Sequence, residues 1–289
     1  MSDLLVFGRT GQVARELQHL ASAQALDLRG LGRDSADLAR PGACAAAIQA
    51  HRPRAVINAA AYTAVDRAED DEALATAING AAPAEMAVAC AALNIPLVHI
   101  STDYVFPGTG HSPWAPGDMT APANAYGRSK STGEEGIRAS RATHAILRTA
   151  WVFSAHGANF VKAMLRLSET RDQISVVDDQ IGGPTPARAI AAACLSIAQQ
   201  LQDDEQKTGT YHFSGAPDAS WCTFARAIFA AAGRPTRVQG IPTNAYPTPA
   251  VRPLNSRLDC GATTAVFGLP RPNWQAGLRD CLADLGTLK

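Results

Sequence analysis

A glycine-rich turn near the start of the chain constrains the fold more than any other feature of the sequence. Leu4 to Phe7 form a short apolar run of the kind that becomes a buried parallel strand. The next residues, Gly8 to Ala14, have the spacing GxxGxxA, and the apolar pattern predicts a helix from about Val13 to Ala23. Glycines at these positions allow a tight turn and let a pyrophosphate approach the backbone amides at the helix N-terminus. The turn therefore predicts a dinucleotide-binding fold, against the alternative of an ordinary glycine turn before a helix.

The chain continues as alternating strand and helix patterns as far as about residue 153. This order is typical of a Rossmann-type, doubly wound parallel α/β sheet. Beyond residue 153 the loops lengthen, so we expect a cofactor-binding domain over 1–153, rejoined by segments from 154–215, and a smaller α/β substrate domain mainly over 154–289. Further strands are predicted at about Leu26 to Leu31, Arg54 to Ile57, Ile95 to Ile100 and His144 to Arg148, and helices over most of Thr63 to Ala92 and from Tyr126 to about Ser140.

The end of the second predicted strand distinguishes between the two nicotinamide cofactors. Folds that prefer NAD usually place a carboxylate there, whereas an arginine suits the 2′-phosphate of NADP. Arg33 occupies this position and favours NADPH, with a solvated surface arginine as the alternative. Asp37 and Leu38 begin the next turn and are placed to reach the adenine side.

Tyr126 and Lys130 lie four residues apart on a predicted helix, so their side chains share one face about one turn apart. A phenol in this position can give a proton to a carbonyl oxygen while a hydride arrives at its carbon. A neighbouring ammonium favours the phenolate and is expected to lower the phenol pKa from about 10 towards working pH. The spacing indicates a reductase, and two polar residues on an exposed helix are the alternative.

Small and polar residues follow two of the predicted strands, at the edge where open α/β sheets bind ligands. Ala59 to Thr63 follow the third strand and leave room for a ligand to lie across this edge, unless they simply begin a helix. Ser101, Thr102 and Asp103 follow the fourth strand and bring hydroxyls to the same crevice. His99 lies within the fourth strand, and we interpret it as a packed core histidine rather than a catalyst.

The composition of the 289-residue chain argues against several classes of protein. Lysine plus arginine and aspartate plus glutamate both number 26, so bulk charge suggests no nucleic-acid or membrane partner. None of the six cysteines has metal-site spacing, and we expect reduced thiols in a cytoplasmic protein. We expect no targeting segment and no apolar stretch that spans a bilayer. The acidic residues between Asp66 and Glu72 are interpreted as a solvated face rather than a metal site.

Seven stretches together resemble the extended short-chain dehydrogenase/reductase superfamily and, within it, the dTDP-4-dehydrorhamnose reductase family. They are GRTGQVAREL (8–17), VINAAAYTAVDRAE (56–69), STDYVFPGTG (101–110), YGRSK (126–130), RTAWVF (148–153), VVDDQIGGPT (176–185) and YPTPAVRPLNSRLD (246–259). The resemblance covers nearly the whole chain, and these stretches are much more specific together than YxxxK is alone. It implies NADPH-dependent reduction of the C4 ketone of dTDP-4-dehydro-L-rhamnose, a step towards dTDP-L-rhamnose and surface polysaccharides.

The resemblance also implies roles for individual residues. Tyr126 would be the general acid, Lys130 would hold the nicotinamide ribose and tune Tyr126, and Thr102 would hydrogen-bond the sugar near the reacting oxygen. With the fingerprint and Arg33, the expected cofactor-binding residues are Gly8, Thr10, Gly11, Gln12, Val13, Arg33, Asp37, Leu38, Ala60, Ala61, Tyr62, Thr63, Tyr126 and Lys130. The expected substrate-binding residues are Thr102, Asp103, Tyr104, Trp151 and Arg252. Arg252 would pair with the substrate diphosphate, unless it forms a structural ion pair instead.

The chain departs from the family pattern at several positions. Ala150 and Phe153 stand where the family often has serine and tyrosine, which removes two hydroxyls near the site. Some members hold magnesium between subunits with glutamates. Glu16 matches one such position, but Arg188 occupies another, so magnesium and a metal-bridged dimer are in doubt. A homodimer held in another way stays open.

Two other functions stay open at the level of sequence. A sugar-nucleotide epimerase or dehydratase of the same superfamily would retain a tightly held NAD, which Arg33 argues against. A regulatory subunit resembling the beta subunit of methionine adenosyltransferase would bind NADP without needing turnover. The complete set of Thr102, Tyr126 and Lys130 favours the enzyme, with a nucleotide-sugar substrate and NADPH. Whether NADH is also accepted is left open.

Overall fold

The structure, a computed structural model, describes residues 3–289. Its strands are β1 (Leu4–Phe7), β2 (Leu28–Leu31), β3 (Ala55–Asn58), β4 (Leu97–Thr102), β5 (His144–Thr149), β6 (Val152–Phe153), β7 (Gln173–Val177), β8 (Ile181–Gly182), β9 (Thr185–Pro186), β10 (Gly209–His212), β11 (Ala219–Ser220), β12 (Arg237–Ile241) and β13 (Asn255–Ser256). Its helices are α1 (Gln12–Ala23), α2 (Ala43–His51), α3 (Glu72–Thr76), α4 (Ala82–Leu93), α5 (Ala125–Ala139), α6 (Phe160–Ser168), α7 (Ala187–Asp203), α8 (Trp221–Ala231), α9 (Gly261–Phe267) and α10 (Trp274–Asp284).

Six parallel strands form the central sheet, in the order β10-β5-β4-β3-β1-β2. β1 lies between β2 and β3, with Leu4 opposite both Leu28 and Ala55. The strand order therefore reverses between β1 and β3. In open α/β sheets such a reversal leaves a crevice beyond the carboxyl ends of the strands, where ligands bind.

Helices cover both faces of the central sheet. On one face, α1 and α7 contribute Leu17 and Ile190 to a core that includes Leu147 of β5. On the other face, α2 and α4 contribute Ile48 and Met86 to a second core. Because the sheet is buried on both sides, all four residues of β1 are apolar and buried instead of alternating. The predicted Rossmann-type fold is confirmed.

The residues after 153 complete the central sheet and also build a separate layer. β10 pairs with β5 at the edge of the sheet, while α7 packs against α1. The smaller sheets are β11-β8-β13, β12-β7 and β6-β9. Helices α6, α8 and α10 enclose a third core around Phe224, Ile228 and Leu278. This layer carries side chains to the open end of the central sheet.

The sequence pattern described the region between residues 40 and 95 least well. Helix α2 was not predicted, and only Cys44 and Ile48 of its side chains are buried, so it lacks a regular apolar stripe. The segment expected to be mostly helical instead begins with an irregular stretch and a 3₁₀ turn at Arg67–Glu69. A π-helical segment, Ala77–Ala81, then joins α3 to α4.

The expectation that no stretch has the length and composition of a membrane span was wrong for one helical segment. Glu72–Leu93 has 22 residues and a mean hydropathy of 1.2. It is nevertheless 56% buried within the protein, where it packs against α5 and α2. Its apolar side chains contribute to the core of the fold.

Candidate active site

A cleft of about 720 Å³ lies at the carboxyl ends of β1, β3, β4 and β5. Most of the residues predicted to be functional line it, although they come from distant parts of the sequence. They are Gly8, Thr10, Gly11, Gln12, Val13, Arg33, Asp37, Leu38, Ala60, Ala61, Thr63, Thr102, Asp103, Tyr104, Tyr126, Lys130 and Trp151. Two predicted residues, Tyr62 and Arg252, are not part of the lining.

The glycine turn after β1 fits a cofactor pyrophosphate. Gly8 has a φ of +110°, and a Cβ there would lie 3.2 Å from the backbone carbonyl of Ala59, so glycine is required on two counts. Gly11 precedes α1 and no side chain caps the helix, while a Cβ on Gly11 would meet only open space. The first amides of α1 are thus accessible to an anion at the positive end of the helix dipole.

The start of α5 is held so that Tyr126 faces the cleft. Asn124 caps the helix by accepting a hydrogen bond from the Gly127 amide at 2.8 Å, and its Nδ2 donates to the Val251 carbonyl at 2.8 Å. Gly127 lies so close to Tyr104 that a Cβ would overlap the Tyr104 carbonyl oxygen. This approach places the rings of Tyr104 and Tyr126 edge to face, 5.5 Å apart.

The pKa of Tyr126 moves in the direction opposite to the one expected from the sequence. Burial raises the pKa of Tyr126 to about 12, the charge of Asp103 adds to the rise, and the Thr102 hydroxyl opposes it. The charge of Lys130 is not among the causes of this shift, and its Nζ lies against the Ile100 carbonyl oxygen and Nε2 of His99. Tyr126 is therefore a protonated phenol at neutral pH in the protein alone.

Lys130 is almost fully buried, with only 1% of its surface exposed. Its Nζ lies 2.7 Å from the Ile100 carbonyl oxygen and 3.0 Å from Nε2 of His99. Burial lowers the pKa of Lys130 to about 8, while the negative charge of Glu134 acts in the opposite direction. His99 is fully buried, as expected of a core histidine, but it also contacts the candidate catalytic lysine.

Thr102 and Asp103 form a linked pair at the end of β4. The Thr102 hydroxyl donates to Oδ1 of Asp103 at 3.1 Å and accepts from the Tyr104 amide at 3.2 Å. Oδ2 of Asp103 is buried without a hydrogen-bond partner among residues 3–289. Burial raises the pKa of Asp103 to about 6, although the Ser256 and Thr102 hydroxyls favour its ionised form. A buried carboxyl oxygen without a partner at the cleft suits a ligand hydroxyl.

A buried asparagine that the sequence analysis missed joins the cofactor side of the cleft to α5. Asn79 lies in the π-helical segment and accepts from the Tyr62 amide at 2.8 Å. Its Nδ2 donates to the Tyr62 carbonyl and to Oγ of Ser129, both at 3.0 Å. Ser129 in turn donates to the Tyr126 carbonyl at 2.7 Å. No sequence motif indicated this link, since one asparagine in an alanine-rich helix carries no distinct signal.

Two stacked tryptophans form the wall of the cleft on the side of the C-terminal layer. Trp151 has a φ of +50°, an uncommon conformation for a bulky residue, and its ring lies 3.7 Å from that of Trp221 at an angle of 11°. Both residues line the cleft. Trp221 was not predicted, and its position at the first residue of α8, after the Ser220 cap, was the available signal.

Arg252 and Tyr62 make structural contacts instead of reaching the cleft. Arg252 forms an ion pair with Asp66 at 2.8 Å, which is the alternative considered for it from the sequence. The Tyr62 hydroxyl donates to Asp71 at 3.2 Å. The backbone of Tyr62, rather than its ring, is positioned by Asn79.

The basic end of the cleft contains two exposed arginines. Arg9 is paired with Asp34 at 2.9 Å. The side chain of Arg33 has no hydrogen-bond or ion-pair partner among residues 3–289, and it lines the cleft at the end of β2. Arg33 is thus the arginine free to pair with a phosphate.

Glu16 and Arg188, which the sequence analysis compared with magnesium-holding positions of the family, belong to a salt-bridge network. Glu16 is 2% exposed and lies 3.1 Å from Nε of Arg188 and 3.7 Å from Nε2 of His156. Arg188 also reaches Asp284 at 2.8 Å. Within residues 3–289, no group of three or more histidine, cysteine or acidic side chains is arranged to hold a metal ion.

Comparisons with known proteins identify similar proteins over nearly the whole chain. Residues 1–287 match the family model described as the RmlD substrate binding domain. A dTDP-4-dehydrorhamnose reductase of Sinorhizobium fredii is 41% identical, covering 96% of this chain and 95% of that protein, and one of Burkholderia thailandensis is 42% identical, covering 98% of each. The crystal structure of a Bacillus anthracis dTDP-4-dehydrorhamnose reductase in complex with NADP is 32% identical, with a TM-score of 0.90 over 98% of this chain and 100% of that one.

Proposed function

The chain belongs to the family of the RmlD substrate binding domain, and from that premise we propose that it reduces the C4 ketone of dTDP-4-dehydro-L-rhamnose to give dTDP-L-rhamnose, with NADPH as the reductant. The observation that carries this proposal is the convergence of the Gly8 turn, Thr102, Tyr126 and Lys130 on one cleft. Identity of about 40% to reductases of this name over nearly the whole chain supports it independently.

The residues present fit a dinucleotide. The open N-terminus of α1 and the positive φ of Gly8 suit a pyrophosphate, while Arg33 suits a 2′-phosphate. Ala60, Ala61 and Thr63 offer small side chains along the crevice, so a flat ligand can cross the sheet edge there. When bound, NADPH supplies the hydride that is added to the ketone carbon.

The proton that completes the reduction comes from Tyr126. As the ketone oxygen gains negative charge, the phenol gives its proton to that oxygen and becomes a phenolate. With a pKa of about 12, Tyr126 keeps its proton at neutral pH and gives it up only as the ketone oxygen becomes basic. Thr102 would turn its hydroxyl from Asp103 towards the same oxygen. Lys130 would hold the nicotinamide ribose and, in its charged form, would stabilise the phenolate.

Asp103, Tyr104 and the Trp151–Trp221 pair provide the surface for the deoxysugar nucleotide. Asp103 offers a buried carboxylate oxygen to a sugar hydroxyl, and the tryptophans offer flat apolar faces. Arg252 pairs with Asp66 through Nη2, while its Nη1 is buried without a hydrogen-bond partner among residues 3–289, so this arginine stays a candidate for the substrate diphosphate. We assign residues 1–153, with segments from 154–215, to the cofactor and 154–289 mainly to the substrate. We also propose that the protein acts in the cytoplasm, without a membrane or nucleic-acid partner.

The test is to mix the purified protein with NADPH and dTDP-4-dehydro-L-rhamnose and to follow the loss of NADPH absorbance. We expect turnover with this substrate and the product dTDP-L-rhamnose. Parallel reactions with dTDP-glucose and UDP-glucose test for dehydratase and epimerase activity, and neither sugar should be converted. Binding of NADPH with no turnover of any ketone would favour a regulatory subunit and contradict the proposal.

A further inference from the structure

His99 has both ring nitrogens engaged in the interior of the protein. It lies on β4 and is 0% exposed. Its Nδ1 is 3.0 Å from Nδ2 of Asn58 on β3, which is also 0% exposed. Its Nε2 is 3.0 Å from Nζ of Lys130 on α5. A polar chain thus runs across two strands and ends at the lysine of the candidate active site.

The orientation of Asn58 is fixed by the backbone. The amide of Ala60 donates to Oδ1 of Asn58 at 3.1 Å, and a backbone N–H can only donate. The oxygen end of Asn58 must therefore face Ala60, so the NH₂ end faces His99. It follows that Nδ1 of His99 accepts this hydrogen bond. A neutral imidazole that accepts at Nδ1 carries its proton on Nε2.

This tautomer directs an N–H group at Lys130. An ammonium has three donors and no lone pair, so it cannot accept that hydrogen bond, whereas a neutral amine can. The neutral amine can still donate to the Ile100 carbonyl, 2.7 Å away. To accept from the ammonium, His99 would have to move its proton to Nδ1, and Asn58 would have to turn over and give up the Ala60 amide.

We propose that His99 is a positioning residue that holds Lys130 in place and, with its tautomer set by Asn58, disfavours the charged form of Lys130. The inference rests on the proposed function only in taking Lys130 as the residue that holds the cofactor ribose. The ammonium of Lys130 is present at low pH and is lost as the pH rises. His99 therefore brings this loss closer to neutral pH than it would otherwise be.

The surroundings of His99 and Lys130 both favour and oppose the charged form of Lys130. Burial lowers the pKa of Lys130 to about 8, and burial with the charge of Lys130 lowers that of His99, so the ring stays neutral. The other charged or titratable groups that act on the pair are Glu134 of α5, which acts on Lys130, and His144 of β5, which acts on His99, while β3 contributes the uncharged Asn58. Glu134 favours the ammonium but is itself paired with Arg148 at 2.6 Å.

The first test reads the tautomer of His99 directly and needs no turnover. In protein labelled with ¹⁵N in its histidine rings, long-range ¹H–¹⁵N spectra at neutral pH distinguish the two neutral tautomers and the imidazolium. His99→Gln identifies the signal by its loss. We expect the Nε2–H tautomer. An Nδ1–H tautomer or an imidazolium at neutral pH would overturn the proposal.

The second test measures NADPH affinity against pH in a Tyr126→Phe background, where the phenol cannot titrate. Glutamine in place of His99 can present its amide oxygen to the ammonium at every pH. Adding His99→Gln should therefore move the alkaline fall in NADPH affinity upward by about one pH unit. His144→Gln is the matched control, because this buried histidine on β5 bonds to the Ala142 carbonyl and not to Lys130, and it should leave the profile unchanged.

The possible outcomes separate this inference from the proposed function. If NADPH binds and His99→Gln leaves the profile unchanged, His99 does not control Lys130. A shift of equal size in the His144→Gln control would likewise contradict the proposal. If NADPH binds at no pH, the proposed function fails, while the tautomer measurement still decides the state of His99.

Discussion

At the scale of single residues, Tyr126 is the clearest test of the chemistry. Tyr126→Phe keeps the ring and its packing against Tyr104 but removes the proton donor. We predict a loss of turnover of about 10²–10⁴-fold, roughly 3–5 kcal/mol of barrier stabilisation, with NADPH affinity nearly unchanged. Turnover and NADPH dissociation constants decide the matter. If the variant keeps more than about a tenth of wild-type turnover while chemistry limits the rate, Tyr126 is not the donor.

Three variants separate the other roles in the same site. Lys130→Ala should weaken NADPH binding as well as slow the reaction, because Lys130 has both functions. Thr102→Val keeps the shape and should mainly lower turnover. Tyr104→Phe is the control for Tyr126, since it removes a neighbouring phenol that carries no proposed proton transfer. Its turnover should fall much less than that of Tyr126→Phe.

Arg33 should determine the preference for NADPH over NADH. Asp34 pairs with Arg9 and leaves Arg33 as the free cation at this end of the cleft. Loss of a charge-assisted contact to the 2′-phosphate should cost about 1.5–3 kcal/mol, which is roughly tenfold or more in affinity. Affinities of both cofactors for wild type and Arg33→Ala test this, with Arg29→Ala on β2 as the exposed control. An unchanged ratio of the two affinities in Arg33→Ala would show that Arg33 is only a surface residue.

Asp103 should make stability depend on pH in a direction unusual for a carboxylate. Its pKa is raised from 3.8 to about 6, so it stabilises the fold as a neutral acid at low pH, and this contribution is lost as the pH rises through about 6. The rise corresponds to roughly 3 kcal/mol at neutral pH. Asp103→Asn should match wild type near pH 4 and exceed its free energy of unfolding by up to about 3 kcal/mol near pH 8. Denaturant unfolding at the two pH values measures the effect, and a gain of the same size in exposed Asp280→Asn would contradict the cause given.

At the scale of elements, the sequence predicted the regular apolar strands of the central sheet and missed the places where a helix is interrupted. The strands of the central sheet are short apolar runs buried on both faces, so β1, β3, β4 and β5 were predicted within a few residues. The break of 63–92 into a 3₁₀ turn, α3, a π-helical segment and α4 was not, because alanine-rich sequence fits each helix type about equally well. The missed functional residue Asn79 lies in that π-helical segment, a type of distortion that often marks functional sites.

Motifs predicted which side chains reach the cleft but not what each contacts there. The Tyr126–Lys130 spacing correctly placed both side chains at the cleft. It could not show that Lys130 is bonded to His99, because that contact joins α5 to β4 across residues that are distant in sequence. Contacts between residues distant in sequence also explain why the pKa direction expected for Tyr126 was wrong and why Trp221 was not predicted to line the cleft. Arg252 pairs with Asp66 in the structure, and its contact with the substrate diphosphate stays a prediction.

The π-helical segment should couple residues 59–63, here termed the cofactor loop, to α5 through Asn79. Asn79→Ala leaves the Tyr62 backbone groups without their side-chain partner and removes one of two contacts of Ser129, so we predict a loss of about 2–4 kcal/mol of unfolding free energy and weaker NADPH binding. Ser129→Ala removes one of these contacts and keeps both bonds to Tyr62, so it should cost less on each measure. Denaturant unfolding and NADPH titration provide the data. Lost stability with unchanged NADPH affinity would show that Asn79 does not position the cofactor loop.

At the scale of the whole molecule, the cleft exists because the C-terminal layer is built back onto the central sheet. β10 and α7 return to the sheet, whereas α8 brings Trp221 against Trp151 at its open end. The return is held partly by the network in which Glu16 of α1 meets Arg188 of α7, and Arg188 meets Asp284 of α10. In the sequence analysis, Glu16 and Arg188 were compared with positions where some family members would hold magnesium between subunits, so this network bears on a prediction about assembly as well as on the fold.

We predict that magnesium is needed neither for the fold nor for any pairing of subunits. The Arg188 guanidinium neutralises the buried Glu16 carboxylate, and an arginine both repels a divalent cation and offers it no oxygen ligand. The mass in solution and the free energy of unfolding should therefore be the same in magnesium and in a chelator. A dimer that dissociates only in the chelator would contradict this.

Two substitutions of Arg188 test whether its positive charge is what excludes magnesium from Glu16. Arg188→Ala leaves Glu16 buried without its main partner and should lower the free energy of unfolding by about 1–3 kcal/mol, less than for a fully buried pair because the guanidinium is half-exposed. Arg188→Glu places two carboxylates together and should destabilise further in a chelator, with magnesium restoring part of the loss because carboxylate oxygens are ligands that the ion accepts. If wild type responds to magnesium as strongly as Arg188→Glu does, the arginine is not what excludes the metal.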